Sequence, residues 1–308
     1  MIVVGGENLI DMVQSVSDDP WPRYSAIPGG APYNVALALA RQGVDVGYAT
    51  PISTDTLGEL LADRITAEGV WLLAERRVEP TSMAVVSVKD GIPTYAFYRD
   101  GTAERQVTAE SLAASLPQNM SVLMVGGLAI SEGDDAQVWA EAFSTAKDSG
   151  LMTALDPNIR PLMIHDRAEY LARFESMLQK TDLLKLSDED LEWLYPGTTP
   201  QEGLYLLAAK SSALLTVITK GGAGALARAG DTSVHAPAGK ADPLADTVGA
   251  GDTFMATLVE QMASRGGLNG LDADGLSAML HRAATAAAIN CERDGCDPPR
   301  SDEIDGRL

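Results

Sequence analysis

Apolar and polar positions alternate between two periods along the chain. "MIVVGG" at 1–6 is a short continuous apolar run ending in glycines, the pattern of a buried strand. "GGAPYNVALALARQG" at 29–43 reads as a loop and then a helix, with Pro32 in its first turn and Gly43 as its stop. "VDVGYAT" gives the next strand, and "DTLGELLADRITAEG" a second helix closed by Gly69. Strand–helix alternation of this kind predicts α/β architecture with a mostly parallel sheet.

The period changes between about 70 and 108. "SMAVVSVKDGIPTYAFYRD" is two strand-like runs around Asp90-Gly91, a hairpin signal and the expected core of a small β lid. Alternation then resumes. "SVLMVGG", "LMTALDPN", "DLLKLS" and "ALLTVITK" are strands, and helices are expected at 134–149, 166–180, 188–194 and 200–210. "GAGALARAGDTSVHAPA" reads as strand–turn–strand. Phe254, Leu258 and Met262, with Met255 and Val259 beside them, form the i, i+4, i+8 stripe of a helix over 251–265. A further alanine-rich helix covers 273–290. No repeat and no linker interrupts the pattern, so residues 1–308 are expected to form one domain, with its lid built mainly from about 12–28 and 78–108.

Composition narrows the partners. The 308 residues carry a formal net charge of −20, which repels a phosphate backbone and argues against nucleic acid. No apolar run reaches the roughly 20 residues of a membrane span, and the first residues lack a basic leader, so a cytoplasmic protein is expected. Cys291 and Cys296 have only His281 nearby and complete no zinc set.

The candidate chemistry centres on "DTVGAGDTF" at 246–254. Gly249, Ala250 and Gly251 carry almost no side chain where a helix begins. Free amides at a helix start bind anions, and small residues let a phosphate approach. Asp252 in that first turn is either an acid favouring the helix dipole or a base beside an anion hole. Lys185 and Lys220, two of only seven lysines, end apolar strands, where ligands gather in parallel sheets. A solvated strand-end lysine is the alternative. Gly222, Gly224 and Ala227 also fit G-x-G-x-x-A after a strand, but no ordinary helix follows, which disfavours a dinucleotide site. No Walker A run occurs.

These segments together resemble the PfkB, or ribokinase-like, family of sugar and nucleoside kinases. "GGAPYNVALALARQG", "DPNIRP", "LLKLSDEDLEWL", "ITKGGAGA" and "DTVGAGDTF" follow in that family's order over about 250 residues, and the wording of "DPNIR" and "KLSDEDLEWL" is most similar to bacterial fructokinases. The resemblance implies a three-layer α/β/α domain with a β-sheet lid and ATP-dependent phosphoryl transfer to a sugar hydroxyl. It implies Asp252 as general base, with the amides of Gly249, Ala250, Gly251 and Asp252 as anion hole. Asp11, Gly29, Gly30 and Asn34 match sugar-binding positions. An acceptor-only Asp and a donor–acceptor Asn suit a polyol. Lys185, Thr219, Lys220, Gly222, Gly224 and Asn290 are expected around the nucleotide.

The resemblance also implies Mg²⁺, linked to the phosphates, and a monovalent cation such as K⁺ near Asp246 and the carbonyl of Val248. The family's Asn-x-x-Glu metal motif is altered here: the matching positions are Ser187 and Asp190, or Glu189 after a one-residue shift. Dimer contacts through the lid are a further implication. D-Fructose is the expected acceptor. The competitor is 2-keto-3-deoxygluconate, for whose carboxylate Arg99 or Arg160 could supply a cation. A nucleoside would stack on aromatics such as Tyr33 or Phe97. A catalytically silent sugar-binding protein on the same fold remains the reading of a different class.

Overall fold

The structure, a computed structural model, describes residues 1–15, 21–89 and 92–308. The chain runs β1 (Ile2–Gly5), β2 (Leu9–Ser15), β3 (Arg23–Gly29), α1 (Ala31–Arg41), β4 (Val46–Tyr48), α2 (Thr56–Ala67) and β5 (Trp71–Leu72). It continues through β6 (Met83–Lys89), β7 (Ile92–Tyr98), α3 (Ala109–Ser115), β8 (Val122–Gly126), α4 (Asp134–Asp148), β9 (Met152–Asp156), α5 (Arg167–Leu178) and β10 (Leu183–Ser187). The last third holds α6 (Asp188–Leu194), α7 (Pro200–Lys210), β11 (Leu215–Thr219), β12 (Ala225–Ala229), β13 (Thr232–Ala236), α8 (Ala250–Ser264), α9 (Ala273–Cys291) and α10 (Ser301–Asp305).

Nine strands form the main sheet in the order β13-β12-β11-β10-β9-β8-β1-β4-β5. All neighbours from β5 to β11 run parallel, while the β11–β12 and β12–β13 pairs are antiparallel. The strand residues alternate between two cores, as a period of two requires. Ile2, Val4, Met124 and Leu183 face the layer of α1, α2, α8 and α9. Val3, Leu123, Val125 and Leu184 face the layer that includes Trp139, Phe143, Tyr170 and Leu204. Both faces are covered, so the strands read as continuous apolar runs. The expected three layers are present.

The chain leaves β1 toward β4 and β5, then returns to the other side of β1 with β8. Between β1 and β8 lies the switch point where parallel α/β sheets bind ligands. The lid is a separate four-stranded sheet, β3-β2-β6-β7, with β2 and β6 parallel and the outer pairs antiparallel. Its β6–β7 hairpin pairs Lys89 with Ile92. The turn residues Asp90 and Gly91 fall outside the described residues. The short β5, α3 and α10 have no clear period in the sequence. Helix α8 begins at Ala250, one residue before the expected start. Gly43 and Gly69 have φ of +81° and +92°, the left-handed backbone that ends α1 and α2.

Candidate active site

Two helix N-termini lie side by side: Asn34 near the start of α1 bonds Asp252 near the start of α8, and Gln42 just past the end of α1 bonds Thr257 further along α8. Gly249 caps α8 with φ of 77°. A β-carbon there would stand 2.4 Å from the Cys296 sulfur, so both backbone angle and space require glycine. Gly30 caps α1 with φ of 112°, and its missing β-carbon would lie 2.5 Å from the Glu7 carbonyl oxygen. Neither cap has a side-chain partner. First-turn amides have no partner within their own helix; here the Ala31 amide of α1 is taken by Glu7 at 2.9 Å and the Ala250 amide of α8 donates to the Thr247 carbonyl at 3.2 Å, which leaves Gly251 and Asp252 as the donors of the α8 end.

Asp252 lies buried in the first turn of α8. The Asn34 side-chain amide, from α1, donates to its Oδ2 at 2.8 Å. Burial pushes the Asp252 carboxyl up to about 6, against the lowering effects of Asn34 and Lys185. The Asn34 Oδ1 is buried and has no hydrogen-bond partner among the described residues. Asp11, on β2, is likewise raised to about 6 by burial, with Arg160 pulling it down. A β-carbon on Gly29 would stand 2.4 Å from Asp11 Oδ2, so this glycine gives the carboxylate its room. Arg160 is exposed and bonds Asn158 Oδ1 at 2.6 Å, and its charge reaches both Asp11 and Asp252. Asp11, Asn34, Asp252 and Arg160 are thereby brought to one place.

Lys185 is not a solvated strand-end lysine. It is buried and pairs with Asp156, at the end of β9, over 2.8 Å. Burial would lower its pKa, but Asp156, with help from Asp252, raises it, so the ammonium stays charged. A β-carbon on Gly251 would come within 3.2 Å of its Nζ, which places this cation against the start of α8.

On the nucleotide side, β11 ends in Thr219, whose hydroxyl donates to the Leu186 carbonyl at 3.4 Å. The Lys220 amide donates to the Gly224 carbonyl at 2.7 Å, closing a tight loop in which Gly221 and Gly224 have positive φ. Gly222 at its tip has open space around the β-carbon position. The antiparallel strand β12 follows, not a helix, which removes the dinucleotide reading of Gly222, Gly224 and Ala227. Asn290 is fully buried. It donates to the Val248 carbonyl at 2.7 Å and accepts from the Asp297 amide at 3.0 Å. Its side chain therefore braces the loop before α8 instead of standing open. Asp246 is similarly engaged: Oδ1 accepts from the Thr247 and Val248 amides, Oδ2 from Gly295.

Glu189 is exposed. Both oxygens of Asp190 accept backbone amides, from Ile159 at 2.8 Å and Ser187 at 2.9 Å. Ser187 and Asp190 form a capping box for α6, which ties this helix to the loop after β9. Among the described residues no group of three or more His, Cys, Asp or Glu could cage a metal.

Arg99, the residue after β7, is buried and donates to Glu104 at 2.7 Å, so its charge is balanced before any ligand arrives. Sequence reasoning missed its neighbour Glu7. That buried carboxylate accepts from the Ala31 amide at 2.9 Å and the Leu128 amide at 2.7 Å, and burial raises it to about 7. It pins the start of α1 to the turn after β8. Its only local sign is an acid inside an apolar run.

A family model described as pfkB family carbohydrate kinase matches residues 1–303. A fructokinase of Rhizobium leguminosarum bv. trifolii is 34% identical over 263 residues, which are 85% of this chain and 79% of the relative. A solved fructokinase with bound ATP from Xylella fastidiosa has a TM-score of 0.88 at 24% identity, over 99% of this chain and 97% of that one. A double mutant of the fructokinase of Vibrio cholerae O395, in fructose, ADP and potassium ion bound form, has a TM-score of 0.85 at 22% identity, over the same shares. The family match over nearly the whole length and the Rhizobium relative agree with the site geometry: the chain belongs to the pfkB family of carbohydrate kinases.

Proposed function

We propose that the chain transfers the γ-phosphoryl group of MgATP to D-fructose, at O6. The observation that carries this reading is the buried Asp252 carboxylate, held by Asn34 beside the amides of α8, with the Arg160 charge reaching both it and Asp11. Asp11, Asn34 and the backbone at Gly29 and Gly30 hold the sugar hydroxyls. Asp252 accepts the hydroxyl proton as that oxygen bonds to phosphorus and the bond to the ADP oxygen breaks. A carboxylate whose pKa is about 6 is ionised at neutral pH yet basic enough for this step. The amides of Gly249 to Asp252, with Lys185 behind them, stabilise the charge on the transferring group. Mg²⁺ neutralises the phosphates when bound, a need sharpened by the net charge of −20.

The loop from Thr219 through Lys220 to Gly222 and Gly224 takes the nucleotide, and Asn290 supports that site through Val248. K⁺ is part of this reading because the fructokinase of the same fold from Vibrio cholerae O395 is potassium ion bound, and its expected place here is near Asp246 and the Val248 carbonyl. Trp21 and Tyr98, exposed beside and on the lid strands, support a homodimer through the lid. Among the described residues no helix is long and apolar enough to cross a membrane.

The test is kcat/KM for fructose, tagatose, ribose, adenosine and 2-keto-3-deoxygluconate at fixed MgATP, read by coupled ADP release. Fructose should lead. A tenfold preference for the keto acid, about 1.4 kcal/mol, would overturn fructose and leave the kinase standing. No turnover with any of them would favour a sugar-binding protein.

A further inference from the structure

Arg64, in the last turn of α2, sits outside the site and touches both halves of it. Its Nη1 donates to the Pro28 carbonyl at 3.0 Å, and its Nη2 donates to the Cys296 carbonyl. Pro28 precedes Gly29 and Gly30, the backbone that leads from the Asp11 side into α1. Cys296 packs beneath Gly249, with its sulfur and backbone in the space a β-carbon there would need. One guanidinium thus spans the sugar-side loop and the segment under the phosphate-side helix end.

The Cys296 segment is otherwise well fixed. The Gly295 amide donates to Asp246, the Asp297 amide to Asn290, and Arg41 of α1 donates to the Pro298 carbonyl at 2.9 Å. A shift at Pro28 is therefore resisted through Arg64 by a rigid strut, and a shift at Gly249 is felt at Pro28. Arginine suits this task because its planar fork donates in two directions at fixed geometry.

We propose that Arg64 is a positioning residue that couples the sugar loop to the phosphate-binding end of α8, so that sugar and nucleotide strengthen each other's binding. The proposal rests on the kinase reading above. Such coupling is reciprocal and is commonly about fivefold or more.

The experiment compares wild type, Arg64→Met and Arg64→Lys. Fructose affinity is measured by calorimetry with and without the β,γ-imido analogue of MgATP. The analogue should tighten fructose about fivefold in wild type and less than about twofold in Arg64→Met. Arg64→Lys, which keeps a cationic donor, should recover part of the effect and covers the case in which the Met variant folds poorly. A merely structural Arg64 would lower thermal stability and leave this ratio unchanged. Wild-type tightening in Arg64→Met, or none in wild type, overturns the coupling. Amide exchange of residues 26–31 and 294–298 in the unliganded proteins separates this from the choice of substrate. Faster exchange of both segments in Arg64→Met supports the tie even if fructose proves not to bind, and unchanged exchange overturns it.

Discussion

Asn34 and Asp252 lie 218 positions apart in the chain and meet across a hydrogen bond of 2.8 Å in which the amide donates to the carboxylate. That bond favours the ionised acid, while burial opposes it, and the balance leaves Asp252 at about 6. It also fixes which oxygen is engaged, leaving Oδ1 outside the contact.

The acid limb of kcat/KM should therefore fall near pH 6. Asp11 is held at a similar value, so the two acids should titrate together and make the limb steeper than a single ionisation. In Asn34→Ala the donor is gone, the Asp252 pKa rises and the limb moves to higher pH. A pH–rate profile checks this. A limb that stays or moves lower counts against Asp252 as the base.

Asp252→Asn should cut kcat by about 10²–10⁴ while fructose and ATP affinities change much less. Its effect on stability has a defined sign. The folded pKa is raised from the ordinary 3.8 to about 6. The stability of the protonated form is thus fully present below about pH 4 and lost as pH rises through about 6. The neutral asparagine escapes that loss. The melting temperature of the variant relative to wild type should climb between pH 4 and pH 8, by up to about 3 kcal/mol in stability. A difference that is flat with pH would show that the burial of Asp252 carries no such cost.

Gly251→Ala separates local helix preference from chemistry. Alanine improves the helix by up to about 1 kcal/mol. Its methyl group would stand 3.2 Å from Lys185 Nζ, at the mouth of the anion site. Thermal stability should hold or rise while kcat falls about tenfold or more, since small displacements at a transfer site are costly. Unchanged kcat would mean that the phosphate does not pass there.

Lys185→Met removes the partner of a buried carboxylate. Urea unfolding should report a loss of about 3–5 kcal/mol, because Asp156 is left uncompensated. The double variant Lys185→Met, Asp156→Leu should recover much of that stability and none of the activity. Recovery of activity as well would make the pair structural only.

What could be read from the sequence was local. Pro32, Gly43 and Gly69 mark helix ends through backbone angles that neighbours do not alter, and the Phe254, Leu258, Met262 stripe needs only helical spacing. The glycines of 249–251 announce a close approach whatever surrounds them. Side chains whose partners are distant were not legible in the same way. Lys185 looks like a solvated cation until Asp156 on the adjacent strand is in place. Arg99 looks available to a sugar, yet Glu104 five residues on binds it inside. Asn290 reaches back to Val248, and Glu7 is defined by amides of Ala31 and Leu128 that only the fold brings to it. Ser187 and Asp190, which match the family's metal motif in spacing, form a capping box in the structure, with both Asp190 oxygens taken by backbone amides.

The span between Asn34 and Asp252 also sets a schedule for biosynthesis. At roughly 5–20 residues per second, the ribosome adds Asp252 about ten to forty seconds after Asn34. On the proposed mechanism the growing chain lacks its base throughout that interval, so phosphoryl transfer would not begin on a partial product. Val35, Ala38 and Leu39 of α1 are destined for the cluster that holds Met255, Leu258 and Val259 of α8. Until α8 emerges they lack that cover, and the nascent chain carries an apolar face of the kind that holding chaperones bind.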